Sequence, residues 1–288
     1  MTTRYGDPDP ANDVLVVIGA GGMGEAISRR MGAGRTVLLA DANQELLERV
    51  AAALPDDGFT VESGRVDVTS RESVAALASR AAALGTVRSV AHTAGLSPVQ
   101  ASAEAILAVD LAGVAYSLDE FGAVIARGGT GVYISSMAGT ITAGSLTTDV
   151  ETALATTPTD QLMDLPFLGP ESVADPRTAY GLAKRGTQLR VQAASSVWGL
   201  RGARVNSLSP GVIATTMGRQ ELAGASEAVM RRLIEQSATG RLGTPNDIAN
   251  AAAFLLGPEA TFIAGTDLLV DGGAVAGLLT DGLQRRAP

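Results

Sequence analysis

Cysteine is absent from this chain of 288 residues. Its absence excludes disulfides, thiolate metal sites and a cysteine nucleophile. Histidine occurs once, at His92. A single imidazole with no clustered carboxylates in sequence makes a poor metal site, so no metal is expected. His92 is expected instead to pack and hydrogen-bond near a bound ligand. Positive charge is scarce, with a formal net charge of −8, which argues against nucleic acid or an anionic membrane as partner. No apolar run approaches the ~18 residues of a membrane span. The opening MTTRYGDPDPAN carries prolines and charges where a signal peptide would carry an apolar core. A soluble, cytoplasmic protein is the expectation. Lysine is the last rarity: 21 of the 22 basic residues are arginine, and the one lysine is Lys184.

What is present is alternation. Short β-type runs at 14–18, 36–40, 89–93, 131–135, 203–209 and 267–270 are separated by stretches with helical spacing. Apolar runs flanked by helices on both sides describe a parallel sheet covered on both faces. The expected fold is α/β, a Rossmann-type doubly wound sheet of about seven strands in a single domain. That domain is expected to span 13–276, between a tail at 1–12 and another at 277–288. Residues 140–177 break the rhythm, with weak periodicity and four prolines. A long excursion of this kind inside a compact domain is commonly a lid, a partner surface or a mobile segment.

The stretch VLVVIGAGGMGEAISRRM orders a strand, a glycine-rich turn and a helix. Gly19, Gly21 and Gly24 spell GxGxxG. Glycines there let the backbone turn sharply and let a pyrophosphate approach the first amides of the helix. Ala20, Gly22 and Met23 complete the turn. Asp41 ends the second run about 20 residues on, where a carboxylate accepts hydrogen bonds from the adenosine ribose. A carboxylate there repels a 2′-phosphate and no arginine follows it directly, so NAD(H) is expected over NADP(H). An ordinary βα turn and a helix-capping aspartate are the simpler readings of the two features.

Tyr180 and Lys184 lie four residues apart in AYGLAKRG, on one face of a helix. A phenol is a poor base near neutrality, and a neighbouring cation favours its phenolate. Lysine supplies a compact charge with freely directed donors, which suits a site that must also hold ribose hydroxyls.

At these residues the chain resembles the short-chain dehydrogenases/reductases, from Val14 to about Gly273. AYGLAKRG is similar to the family's YxxxK segment, and ISSMAG to the segment with its catalytic serine, here Ser136. HTAG (92–95) resembles the segment beside the cofactor, with Thr93, Ala94 and Gly95. RVDV (65–68) resembles the adenine segment, with Asp67 and Val68. SPGVIAT (209–215) resembles the nicotinamide segment, with Pro210, Gly211, Ile213 and Thr215. The resemblance implies a secondary alcohol–ketone oxidoreductase in which Tyr180 is acid and base, Ser136 holds the reacting oxygen, and Lys184 lowers the tyrosine pKa and grips the ribose.

Three departures from the family pattern follow. The glycine turn is one residue short, and Gly19, Gly22 and Gly24 also read GxxGxG. Asp110, in VDLAG, stands where the family has an asparagine. Its carbonyl can serve as that residue's does, while its carboxylate would steady Lys184 and blunt the effect on Tyr180. Ser136 and Tyr180 are 44 residues apart, much farther than usual, the excess being the 140–177 segment. Similar insertions mark some carbonyl reductases and hydroxysteroid dehydrogenases. The cluster Leu162, Met163, Leu165, Phe167, Leu168 is expected to roof the substrate site or bury a partner surface in a homo-oligomer, a dimer or tetramer altered by the insertion. The expected substrate is a small alcohol or ketone with an apolar ring or medium chain. A cofactor-binding sensor without turnover is the competing reading; a nucleotide-sugar epimerase or dehydratase would want a larger C-terminal domain.

Overall fold

The computed structural model describes residues 12–224 and 226–284. The elements are β1 (Asp13–Ile18), α1 (Gly22–Met31), β2 (Thr36–Asp41), α2 (Gln44–Asp56), β3 (Thr60–Arg65), α3 (Arg71–Leu84) and β4 (Thr86–His92). Then come α4 (Ala103–Leu107), a π-helical turn (Ala108–Ala112), α5 (Gly113–Val124), β5 (Thr130–Ile134), α6 (Met137–Ala143), α7 (Thr148–Thr156) and two 3-10 turns. The chain closes with α8 (Pro176–Leu200), β6 (Arg204–Pro210), α9 (Thr216–Ala223), α10 (Glu227–Gln236), α11 (Pro245–Leu256), β7 (Asp267–Val270) and α12 (Ala274–Gln284).

The seven strands form one parallel sheet in the order β3-β2-β1-β4-β5-β6-β7. Side chains alternate across a strand, and β1 shows why its run is apolar throughout. Val14, Val16 and Ile18 join a core with Val74, Leu118 and Trp198 on one face. Leu15 and Val17 join a core with Ile27, Ile248 and Leu255 on the other. Each run expected from the sequence falls on a strand. The seventh, β3, carries no such run because TVESGR is an edge strand paired only to β2 and half or fully exposed.

Strand order reverses between β1 and β4, opening the crevice at which such sheets take ligands. Thr93 and Ala94 amides both donate to the Ile18 carbonyl, at 2.7 and 2.9 Å, closing the floor of that crevice.

The 140–177 segment is folded. Leu154, Leu162 and Leu168 are buried with Ala103, Leu107 and Leu189, so α7 and the 3-10 turns lie on α4 and α8. Arg190 reaches from α8 to the Leu154 and Thr157 carbonyls and the Thr159 hydroxyl. Arg185 pairs with Glu151 at 2.7 Å. Arg71 joins Glu120 on α5 to Asp160 in the segment.

Two expectations are corrected. The apolar cluster is neither a roof nor a large exposed surface: Leu165 and Phe167 pack on the same core, and only Met163 is largely exposed. The tail expected from 277 is helix out to Gln284, because Ala274, Val275 and Leu278 pack against Met137, Val212 and Leu233. Residues 1–11 of the expected N-terminal tail lie outside the described residues, as do 285–288.

Candidate active site

The glycine turn leaves β1 with Gly19 at φ 102°, in the region that favours glycine. A Cβ at Gly19 would come 2.6 Å from the Ala94 amide, and one at Gly24 would fall on the Gly19 carbonyl. Those two glycines are required by the chain itself. Gly21 has open space where its Cβ would be, and Gly22 faces the Thr215 methyl at 3.4 Å. Gly21 caps α1 with no side-chain hydrogen bond, so the first amides of α1 face open space. Ala20 donates its amide to Asp41 Oδ2 at 2.7 Å, and Asn43 donates to Oδ1 at 2.8 Å. The carboxylate is thereby fixed beside the turn, with lone pairs left for a ribose diol. Arg65 stands opposite Asp41 across the β2–β3 ladder, a proximity hidden by sequence distance.

Thr93 Oγ1 donates to the Gly19 carbonyl at 2.9 Å and so ties β4 to the turn. Asp67 is exposed and accepts from the Thr69 amide and hydroxyl at 2.9 and 2.7 Å. Those hydrogen bonds hold its carboxyl below the usual range. Val68 is buried. Pro210 ends β6, Gly211 abuts Asp271, and buried Ile213 bridges to Gly243. Thr215 caps α9, accepting from Gly218 at 3.1 Å. Turn, Asp41 corner and 210–215 loop together fit a dinucleotide: a crevice, uncapped amides and a ribose acceptor, all on one edge.

A cleft of about 240 Å³ opens beside this edge, lined on one wall by Ser136, Tyr180 and Lys184. Ser136 caps α6, its Oγ accepting from the Ala138 amide at 3.1 Å, and it stands beside the Tyr180 phenol, whose pKa it lowers. Lys184 is 4% exposed, with Nζ 5.5 Å from the Tyr180 ring centre. It lies 3.2 Å from Asp110 Oδ2, off the directions of a hydrogen bond, and donates to the Ile134 carbonyl at 3.4 Å. Ser135 Oγ donates to the Lys184 carbonyl at 2.7 Å and fixes α8 against β5.

Asp110 sits in the π-helical turn, where Gly113 donates to Ala108 five residues back. The turn's Asp110 carbonyl accepts from Thr187 Oγ1 at 2.9 Å, and Oδ1 accepts from the Leu96 amide at 2.8 Å. Burial pushes the Asp110 carboxyl up, with Lys184 and Leu96 opposing. The Lys184 ammonium 3.2 Å away and the Leu96 amide both favour the carboxylate form against that burial. Burial disfavours the Lys184 charge, but Asp110 and Tyr180 more than offset that and hold its pKa above the ordinary value.

For Tyr180 the balance differs from expectation. Burial raises its pKa, Lys184 lowers it, and Asp110 raises it again, so the net direction is upward. The cation acts in the expected sense but is outweighed by desolvation and by its own counter-charge.

His92 is fully buried and stacks on Tyr133, with centroids 5.4 Å apart. Neither ring nitrogen has a hydrogen-bond partner among the described residues, so the expected hydrogen bond is replaced by packing. Burial, with Lys184 second, lowers its pKa to about 3, and the ring is neutral.

The sequence reading missed other residues of the cleft. Arg177, Met217, Glu221, Val229 and Met230 line it, and none of Leu162, Met163, Leu165, Phe167 and Leu168 does. Arg177 precedes Tyr180 by three positions on one helix, a spacing that shares a face and was there to be read. Glu221 carries no comparable signal.

A family model described as short chain dehydrogenase matches residues 13–147, and one described as Enoyl-(Acyl carrier protein) reductase matches 145–275. The chain is 45% identical to the short-chain dehydrogenase/reductase bsc3 of Alternaria brassicicola, over 94% of this chain and 98% of that protein. It is 30% identical to 2-(S)-hydroxypropyl-CoM dehydrogenase 3 of Xanthobacter autotrophicus, over 92% and 97%. A solved short-chain type dehydrogenase/reductase from Mycobacterium ulcerans has a TM-score of 0.71 at 23% identity, covering 92% of this chain and 90% of that one. That last likeness speaks for the fold alone. No helix among the described residues is long and apolar enough to cross a membrane.

Proposed function

The chain belongs to the short-chain dehydrogenase/reductase family of oxidoreductases, and on that premise we propose that it interconverts a secondary alcohol and a ketone with NAD(H). The observation that carries this reading is the buried Lys184 beside Tyr180, on the wall that also presents Ser136. A bound nicotinamide supplies the hydride acceptor or donor, and every other task falls to the chain.

Tyr180 takes the substrate hydroxyl proton in oxidation and returns it to the carbonyl oxygen in reduction. Ser136, which accepts from the Ala138 amide, donates its hydroxyl proton to that same oxygen. Lys184 sets the charge beside the phenol, and Asp110 holds the ammonium in place. With its pKa raised, Tyr180 is protonated near neutrality, the form that donates a proton in reduction.

Asp41 supports NAD(H), since its carboxylate occupies the corner at which a 2′-phosphate would sit. Leu96, Pro98, Met137 and Val212 give the cleft its apolar character and, with its modest volume, support a compact ring or medium-chain substrate. Homo-oligomerisation belongs to this reading too; light scattering of the purified chain tests it, and a monomer at every concentration would remove it.

The central test is spectrophotometric. Secondary alcohols and ketones are screened by NADH absorbance while NADH and NADPH are titrated by intrinsic fluorescence. Turnover with tighter NADH binding is the expected result. Tighter NADPH binding would reverse the cofactor assignment. Binding without any turnover would leave a cofactor-dependent sensor.

A further inference from the structure

The polar groups of the cleft fall into two sets. Ser136, Tyr180 and Lys184 surround the reacting centre. Arg177, Glu221 and Ser226 also line the cleft, and the proposed chemistry uses none of them. Arg177 Nη2 reaches Ser226 Oγ at 3.4 Å, a weak contact. The Glu221 carboxylate has no hydrogen bond or ion pair among the described residues, though Met217, Val229 and Met230 share its wall. Its charge is close enough to oppose ionisation of Tyr180. Burial alone pushes its own carboxyl upward, as for a group that lacks a donor.

A half-buried carboxylate in an apolar wall is costly unless something donates to it. Water can donate to it in the free cleft, and a ligand that displaces that water has to supply the donor itself. A cationic ligand is disfavoured, because Arg177 and Lys184 both line the cleft and Glu221 is the one carboxylate among its lining residues. A neutral hydroxyl remains.

Building on the redox function proposed above, we infer that Glu221 is a specificity-determining residue, selecting alicyclic secondary alcohols or ketones that carry a second hydroxyl. The reacting carbinol sits against Ser136 and Tyr180 while the second hydroxyl donates to Glu221 in the same cleft. Its apolar residues Leu96, Pro98, Met137 and Val212 take the ring.

The test compares kcat/KM for cyclohexanol, the cyclohexanediol isomers and an aminocyclohexanol, in the wild-type chain and in Glu221→Leu and Glu221→Gln. A hydrogen bond to a charged acceptor predicts that the wild type favours at least one diol over cyclohexanol by about 10- to 100-fold. Glu221→Leu should bring that ratio close to unity, with most of the change in KM for the diol. Glu221→Gln, which keeps an acceptor without charge, should fall between. Equal ratios in wild type and Glu221→Leu would overturn the inference and leave the redox function standing. Preference for the amino alcohol over every diol would overturn it in favour of cation recognition. Failure of every alcohol and matching ketone, with NADH still binding, would instead remove the redox function and this inference with it.

Discussion

Replacing Lys184 by methionine removes the ammonium and keeps most of the buried stem. Nζ lies 5.5 Å from the Tyr180 ring centre, and at an effective dielectric of ~20 a unit charge at that distance is worth ~3 kcal/mol. That corresponds to ~2 pKa units, since one unit is ~1.4 kcal/mol. The sign is unambiguous. Lys184 lowers the tyrosine pKa, so its removal raises it, and Asp110, freed of its partner, pushes the same way for as long as it stays ionised. In oxidation the phenolate is the active form, so activity is gained as pH rises through that pKa. The alkaline rise of kcat/KM should therefore move to higher pH by up to ~2 units, with a loss of up to ~100-fold below the wild-type pKa. The assay is the pH–rate profile of alcohol oxidation, followed by NADH absorbance. Lys184→Arg is the companion variant. It keeps the charge, so its rise should stay near the wild-type pH, while kcat/KM stays at least ~10-fold down because a planar fork cannot place the same donors. A uniform loss in Lys184→Met at every pH would refute the electrostatic role and leave only ribose binding.

Asp110→Asn is expected to shift the same rise to lower pH, because the carboxylate opposes ionisation of the phenol; an unchanged profile would show that the two are not coupled. Arg190→Met leaves the Leu154 and Thr157 carbonyls and the Thr159 hydroxyl short of a donor, at a cost of about 2–3 kcal/mol. Urea unfolding checks it, and an unaltered midpoint would mean the arginine does not hold the 140–177 segment. Gly24→Ala places a methyl on the Gly19 carbonyl and should weaken NADH binding at least ~10-fold by opening the turn. Fluorescence titration of a variant with native circular dichroism decides this, and wild-type affinity would dissociate the turn from cofactor binding.

Much of the site was legible because it is local. The glycine turn, Asp41 and the Tyr180–Lys184 pair each depend on short spacings along one strand or helix, and residue chemistry at those spacings has few uses. The alternating apolar runs were legible for a related reason. A strand buried on both faces must be apolar at every position, as β1 is, whereas β3 escaped notice because an edge strand need not be.

The sequence alone determined the doubly wound sheet, the turn and the helix that carries Tyr180 and Lys184. Tertiary structure decided what surrounds them. Asp110 reaches Lys184 across 74 residues of chain from a π-helical turn, and burial of the phenol, with Asp110 opposing Lys184, leaves the Tyr180 pKa raised rather than lowered. The apolar cluster at 162–168 went to the chain's own helices, since hydrophobic burial has no direction and the nearest uncovered face was α4 and α8. Arg177 and Glu221 meet in the cleft from α8 and α9, elements brought together by packing. Spacing fixes what neighbours within an element can do; charge balance, burial and the second wall of a cleft depend on distances that only the folded chain sets.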